Sequence, residues 1–369
     1  MWSLIIAAAG LVSAGAVVLV TVRVHRFSFL RRFGEKHRVL AWLVSLLPVA
    51  AAGLFWLINA FTAMIVLIHL LFGFLLCGLA ARIQRKTTKK DIGYDAQNLA
   101  AILLTAVYLG IGWFMAHHVF VTQYTVETDK ALGGDLRIVE IADAHIGITL
   151  DGQGFARQME RVQETSPDLV VIVGDFVDDD TDRQDMLDAC RALGGLETAY
   201  GVYFVFGNHD TGYFNYRSFS PEELRRELAA NGVTVLEDES ILIDGRFWLV
   251  GRKDRSRRNR LGAEALTADL DPSKYILFLD HQPNDYENEA AAGADLVLSG
   301  HTHGGHIFPA GLIGLLSGAN DREYGLETRG STAFLVTSGI SGWAIPFKTG
   351  ARSEFVVIDV KGADSGAGT

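Results

Sequence analysis

Cysteine is almost absent from the 369-residue chain: Cys77 sits in an apolar run and Cys190 in a charged segment far downstream. Two residues so placed argue against a disulfide framework, and they exclude a thiolate zinc knuckle, which needs closely spaced cysteines. Positive charge is not in excess either. With 33 Lys and Arg against 43 Asp and Glu, the net charge of −10 argues against a general nucleic-acid binder, which needs a basic surface to neutralise phosphates. There is no Gly-x-x-x-x-Gly-Lys-Ser/Thr loop and no Gly-x-Ser-x-Gly elbow, which disfavours a nucleotide-driven motor and a serine hydrolase.

Apolar residues are abundant, at 49% of the chain, and their longest runs fall before residue 120. A helix needs roughly 20 apolar residues to cross a hydrocarbon core of about 30 Å. Four spans of that kind are expected, at about 3–22, 39–59, 62–81 and 98–115, as a transmembrane region over 1–120. The run Val39–Ala81 is too long for one crossing and must fold back, with Asn59–Thr62 as the tip. The first span reads as a retained helix, because its positive charges, Arg23 to Arg38, follow the apolar run where a signal peptide would have them in front. Those charges, and Arg82 to Lys90 after the third span, place both basic loops in the cytoplasm. The N-terminus, the hairpin tip and everything beyond the fourth span are then extracytoplasmic. His69, inside the third span, is either a neutral residue bonded to a neighbouring helix or a functional intramembrane group.

After a connector at 121–134, short β-rich runs alternate with helical ones over 135–361, the pattern of an α/β domain large enough to bury its own core. The expected strands are Leu136–Ala142, Leu169–Val173, Val202–Phe206, Phe247–Val250, Tyr275–Leu279, Leu296–Leu298, Phe334–Thr337 and Phe355–Val360. Ser220, Pro221 and Glu223 open a helix in capping-box spacing, and Gly232 ends it. The tail 362–369, rich in Gly and Ala, is expected to be disordered.

Strand after strand ends in polar residues of metal-ligand type: Asp143-Ala144-His145, Gly174-Asp175-Phe176-Val177-Asp178, Gly207-Asn208-His209-Asp210, Asp280-His281, and Gly300-His301-Thr302-His303-Gly304-Gly305-His306. One such cluster is ordinary turn chemistry, but loops at one edge of a sheet converge, so five of them can meet at one site. Asp143, His145, Asp175, Asn208, His281, His301 and His303 make seven hard or borderline donors without sulfur. That is too many for one catalytic ion with an open position. Two divalent ions sharing a carboxylate account for the number and set up an in-line displacement at phosphorus.

In this order the motifs closely resemble the calcineurin-like metallophosphoesterase superfamily over about residues 135–360. The resemblance implies a four-layer αββα metallophosphoesterase sandwich, here preceded by the four-helix transmembrane region. It implies Asp143, His145 and His303 on one ion, Asn208, His281 and His301 on the other, and Asp175 between them. The ions would be Mn, Zn, Fe or Mg, with Mn or Zn favoured, and would activate water for attack on the phosphate. Asp280-His281-Gln282-Pro283 and His301-Thr302-His303-Gly304-Gly305 resemble the membrane-linked branch that includes some UDP-2,3-diacylglucosamine hydrolases, although relatives often carry Gln where this chain has His306.

His209 is assigned to stabilising or protonating the leaving oxygen, with Asp210 fixing its orientation. Tyr213, Trp343 and His306 are candidate substrate contacts, and Tyr213, Phe214, Tyr216 and Trp343 equally suit simple packing. The basic stretch Arg252–Arg260 is a solvated loop or a lipid-headgroup site, and Leu312–Leu316 is an apolar run able to dip into a membrane interface to meet a lipid substrate. Two functions remain open: an enzyme acting on a phosphodiester or pyrophosphate in a lipid or envelope precursor, and a membrane sensor or scaffold that binds a phosphorylated ligand without turnover. His209 and Asp210 beside a full ligand set favour the enzyme.

Overall fold

The computed structural model describes residues 2–214 and 216–363, and the chain divides into two compact units, Met1–Trp113 and Phe114–Thr369. Residues 364–369 of the expected tail lie outside the described residues.

The first unit is helical: α1 (Trp2–His25), α2 (Ser28–Gly34), α3 (Arg38–Ser45), α4 (Leu47–Gly53), α5 (Ala60–Thr88) and α6 (Tyr94–His117), the last running on into the second unit. By length and composition three helical stretches are able to cross a membrane, Arg38–Leu57, Ala60–Thr88 and Tyr94–His117. A fourth exists if Ala9–His25 and Ser28–Gly34, bent by 83°, count as one span. The stretch 38–57 is interrupted by Pro48 at the start of α4, where the ring cannot continue the preceding turn. Asn59 caps α5 as the expected hairpin tip, its side chain accepting from the Thr62 N–H at 2.8 Å. Gly73 lets α5 approach α6, since a Cβ there would lie 3.0 Å from the Ala101 carbonyl oxygen. His69 points Nδ1 at the Ile65 carbonyl of its own helix, 2.8 Å away, so its polar group is satisfied within α5.

The second unit holds β1 (Val119–Glu127), β2 (Leu136–Ile141), α7 (Gly152–Glu164), β3 (Leu169–Val173), α8 (Arg183–Gly194), β4 (Val202–Val205), α9 (Pro221–Ala230), β5 (Val233–Val235), β6 (Glu239–Ile243), β7 (Phe247–Gly251), α10 (Ala263–Thr267), β8 (Tyr275–Leu279), α11 (Tyr286–Ala291), β9 (Leu296–Ser299), α12 (Ala310–Leu316), β10 (Gly325–Arg329), β11 (Thr332–Val336) and β12 (Ser353–Lys361). Two six-stranded sheets form, ordered β1-β12-β2-β3-β4-β5 and β10-β11-β9-β8-β7-β6. Much of the stretch expected as connector is therefore β1, an edge strand whose alternating exposure leaves only Val119 and Val126 buried.

Alternation along the strands builds the layers. In β2, Val139 and Ile141 pack with Phe155, Met159 and Val162 of α7 and with α8 and α9, while Leu136 and Ile138 face the other sheet. Leu249, Leu277 and Leu298 come to that shared interior from the second sheet, and Val250, Phe278 and Val297 turn outward beneath α10 and α11. The result is helices, sheet, sheet, helices, the αββα order. Strands β2, β3 and β4 run parallel to one another, as do β7, β8 and β9, so their C-terminal ends project loops from common edges.

Candidate metal centre

Those edges carry the polar clusters. Asp143, His145, Asp175, His301 and His303 all take left-handed backbone conformations, with φ of 54°, 34°, 51°, 69° and 51°. Each costs about 1–2 kcal/mol for a residue with a side chain. Strain of this kind concentrated at strand ends is a mark of function. Glycines let the loops close up, since a Cβ at Gly174 would lie 2.6 Å from His281 Nδ1 and one at Gly339 2.6 Å from Asp143 Cβ.

Among the described residues three groups of donor atoms lie within 4.8 Å of one another: His145 with Asp178 and His209, and the two candidate cation groups, Asp143 with His145 and His303, and Asp175 with His281 and His301. His145 Nε2 and His303 Nε2 face each other at 3.2 Å. His281 Nδ1 lies 2.8 Å from the Val173 carbonyl, which makes it the protonated nitrogen and leaves Nε2 as the donor. Asp175 reaches both groups, with Oδ2 3.1 Å from His281 Nε2 and 3.7 Å from His145 Nε2. Its Oδ1 accepts from the His209 N–H at 2.8 Å. Asn208 donates from Nδ2 to the Tyr213 hydroxyl at 2.9 Å, which fixes the amide and turns Oδ1 the other way.

The residues fit two divalent cations. Asp143 Oδ2 is buried without a hydrogen-bond partner among the described residues, an acceptor turned into the cluster that a cation would satisfy. Burial, with the charge of His281, pushes His301 down to about 4, and burial beside His145 holds His303 well below the usual range; both are neutral, as ligation requires. His281 behaves differently: burial alone would lower it, but the Asp175 carboxylate outweighs this and raises it, a charge pairing that a cation replaces.

The expected partner of His209 is corrected. Asp210 is fully buried and accepts from four main-chain N–H groups, those of Asp175, Phe176, Val177 and Gly207, at 2.7–3.0 Å. It ties β3's loop to β4's loop, because neighbours in a turn point their side chains apart. Asp178 holds the imidazole, with Oδ1 3.2 Å from His209 Nδ1 and Oδ2 3.2 Å from His145 Nδ1. Burial would raise the Asp178 carboxyl, yet hydrogen bonds from His145 and His209 outweigh it and hold it below the usual carboxylate range. Asp178 stood in the quoted motif without a role; its spacing of three from Asp175 was the available signal. Asp210→Ala should cost at least about 3 kcal/mol, since several buried donors would be orphaned at about 1–3 kcal/mol each. The check is melting of the metal-free proteins, where Asp210→Ala falls well below wild type and His209→Ala stays close to it.

Around the centre, the His209 ring lies 5.0 Å from Tyr213 and 5.5 Å from Trp343, so both aromatic candidates stand beside it. His306 stacks on the candidate ligand His303 at 5.3 Å. The basic stretch is divided. Arg252 is buried against Asp285 at 2.7 Å and Asp280 at 3.1 Å, and Arg260 also pairs with Asp280, leaving Arg255, Arg257 and Arg258 exposed.

An αββα sandwich with two histidine and carboxylate groups at its strand ends is the architecture of a metal-dependent phosphoesterase. The chain belongs to the calcineurin-like phosphoesterase family, whose model matches residues 136–305. It is 33% identical over 233 residues to an uncharacterized metallophosphoesterase of Campylobacter jejuni, covering 62% of this chain and 60% of that one. It is 30% identical over 251 residues to an uncharacterized metallophosphoesterase of Aquifex aeolicus, covering 66% and 92%. A third relative, from Danio rerio, is named a transmembrane protein with metallophosphoesterase domain; it is 31% identical over 285 residues, covering 73% and 64%. The chain thus spans less than two thirds of the Campylobacter and Danio relatives.

Proposed function

We propose that the protein is a membrane-anchored phosphoesterase that hydrolyses a phosphodiester or pyrophosphate in a lipid or cell-envelope substrate. The observation that carries the reading is the convergence of the two ligand groups on Asp175 with His209 beside them. Asp143, His145 and His303 would hold one divalent cation and Asn208, His281 and His301 the other, with Asp175 shared; Mn or Zn suits the donors best. Bound there, the cations neutralise phosphoryl charge and acidify water. His209, oriented by Asp178, protonates the leaving oxygen. Tyr213 and Trp343 flank that oxygen and contact the leaving group, and His306 supports the site by stacking on His303. The anchor is supported by the apolar helices and by the name of the Danio relative.

Full-length protein stripped with chelator should lose hydrolysis of bis-p-nitrophenyl phosphate and regain it with Mn²⁺ or Zn²⁺. Inactivity with Mn²⁺, Zn²⁺ and Mg²⁺ alike, together with retained binding of a phosphorylated ligand, would favour the sensor. The charge bias of the two basic loops supports an extracytoplasmic catalytic domain. A reporter fused after Thr369 and active only in the cytoplasm would overturn that placement.

A further inference from the structure

The sheet register sets where the metal edge lies relative to the chain's entry into the domain. Strand β12 runs parallel to β1, with Val119 opposite Ser353, and antiparallel to β2, with Val356 opposite Glu140. The start of β1 therefore shares the sheet edge at which β2 ends and Asp143 begins the metal cluster. Only one residue, His118, separates it from α6, a candidate span.

The same edge carries an apolar helix with nothing over it among the described residues. Phe308, Leu312, Ile313, Leu315 and Leu316 are 57%, 54%, 63%, 44% and 88% exposed, and no charged residue falls between His306 and Ser317. This α12 is firmly held to the ligand loop, since a Cβ at Gly311 would lie 2.8 Å from Gly305 Cα. The Phe308 N–H donates to Thr349 Oγ1 at 3.1 Å, while Arg352 donates to Thr122 Oγ1 at 3.1 Å and lies over the Phe120 ring. The entry of α12 and the first residues of β1 thus hang from the four residues 349–352. Phe214 and Tyr216, exposed and stacked 5.5 Å apart, follow the Asn208-His209 cluster at the metal-bearing strand ends.

We propose that Phe308 and α12 form a membrane-docking surface that seats the metal-bearing edge of the domain on the bilayer. A bare, uncharged apolar helix beside the point where the chain leaves a span suits a lipid interface, where Leu and Phe side chains insert and no polar partner is needed. A lipid headgroup phosphate then reaches the metal centre from the same leaflet, a consequence that rests on the lipid reading above; the docking itself does not.

The test uses the full chain in phosphatidylcholine and phosphatidylglycerol proteoliposomes, with an environment-sensitive fluorophore on Ile313→Cys and, as control, on Ala291→Cys, exposed at the end of α11. Cys77 is replaced by Ser; Cys190 stays, because burial pushes its thiol up to about 12 and leaves it unreactive. The Ile313→Cys label should emit to the blue of the control and be quenched by doxyl lipids. Emission like the control with no quenching overturns the proposal, and so does blue emission that is unquenched by lipid and fades on protein dilution, which assigns α12 to a second copy. Independently, Leu312→Glu with Leu316→Glu should raise KM for a vesicle-borne phosphodiester about tenfold and leave bis-p-nitrophenyl phosphate turnover unchanged. Equal effects on both substrates would contradict docking, whereas no hydrolysis of either by wild type would count against the enzyme reading alone.

Discussion

Replacing Asp175 by Asn should abolish turnover, lowering kcat/KM for bis-p-nitrophenyl phosphate by about a thousandfold or more, and should lower bound metal from two ions per chain towards one. The amide is nearly isosteric and keeps an oxygen for the His209 N–H that Asp175 Oδ1 now accepts at 2.8 Å. What it loses is the anionic Oδ2, 3.1 Å from His281 Nε2 and 3.7 Å from His145 Nε2, an oxygen that faces both ligand groups. In a buried site the repulsion of two divalent cations is poorly screened, and a neutral amide offsets none of it. The adjacent cluster is closely packed, and a Cβ at Gly174 would collide with His281, so the site has little room to recruit another anion. Elemental analysis beside the rate separates the cases. A variant that keeps both ions and the rate would show that Asp175 is not the shared ligand, and one that keeps both ions while losing the rate would move its role from binding to chemistry.

The candidate ligand residues stood out in the sequence because their clusters follow buried strands, and a buried strand shows in sequence as a short apolar run. Leu169–Val173 and Tyr275–Leu279 are the same in sequence and structure for that reason. β1 was not legible: Val-Phe-Val-Thr-Gln-Tyr-Thr-Val-Glu is half-polar, and its partner β12 lies more than 200 residues away. Pairing at that distance leaves no local trace. Asp210 was misplaced for a related reason. Adjacency to His209 in sequence looked like contact, but a side chain's direction in a turn depends on φ and ψ, and the carboxylate turned inward to the main chain of the β3 loop. The buried half of the basic stretch shows the same limit. Arg252 and Arg258 are alike as residue types, and only the arrival of Asp280 and Asp285 from elsewhere separates an internal ion pair from a solvated charge.

His209→Ala should slow hydrolysis in a way that depends on the leaving group. Its Nδ1 faces Asp178 Oδ1 at 3.2 Å, so Nδ1–H donates to the carboxylate and Nε2 is the atom left to carry a proton to substrate. Burial alone would lower the imidazole's affinity for that proton, but the hydrogen bond with Asp178 and then the charge of Asp175 outweigh it and raise the pKa. With Nδ1–H held by Asp178, Nε2 is the atom placed to give a proton to the leaving oxygen. A phenyl or alkyl phosphodiester, whose leaving oxygen must be protonated, should lose about 10²–10⁴ in kcat, the usual worth of general acid catalysis. A p-nitrophenyl ester, whose anion departs without a proton, should lose far less. Asp178→Asn, which keeps the shape but removes the charge facing both His209 and His145, should fall between, at about 10–100-fold, with weaker metal binding because His145 loses its orienting partner. Equal loss on both leaving groups would mean that His209 acts on the phosphoryl group and not on the departing oxygen, and a silent Asp178→Asn would return the orientation of His209 to the surrounding rings of Tyr213 and Trp343.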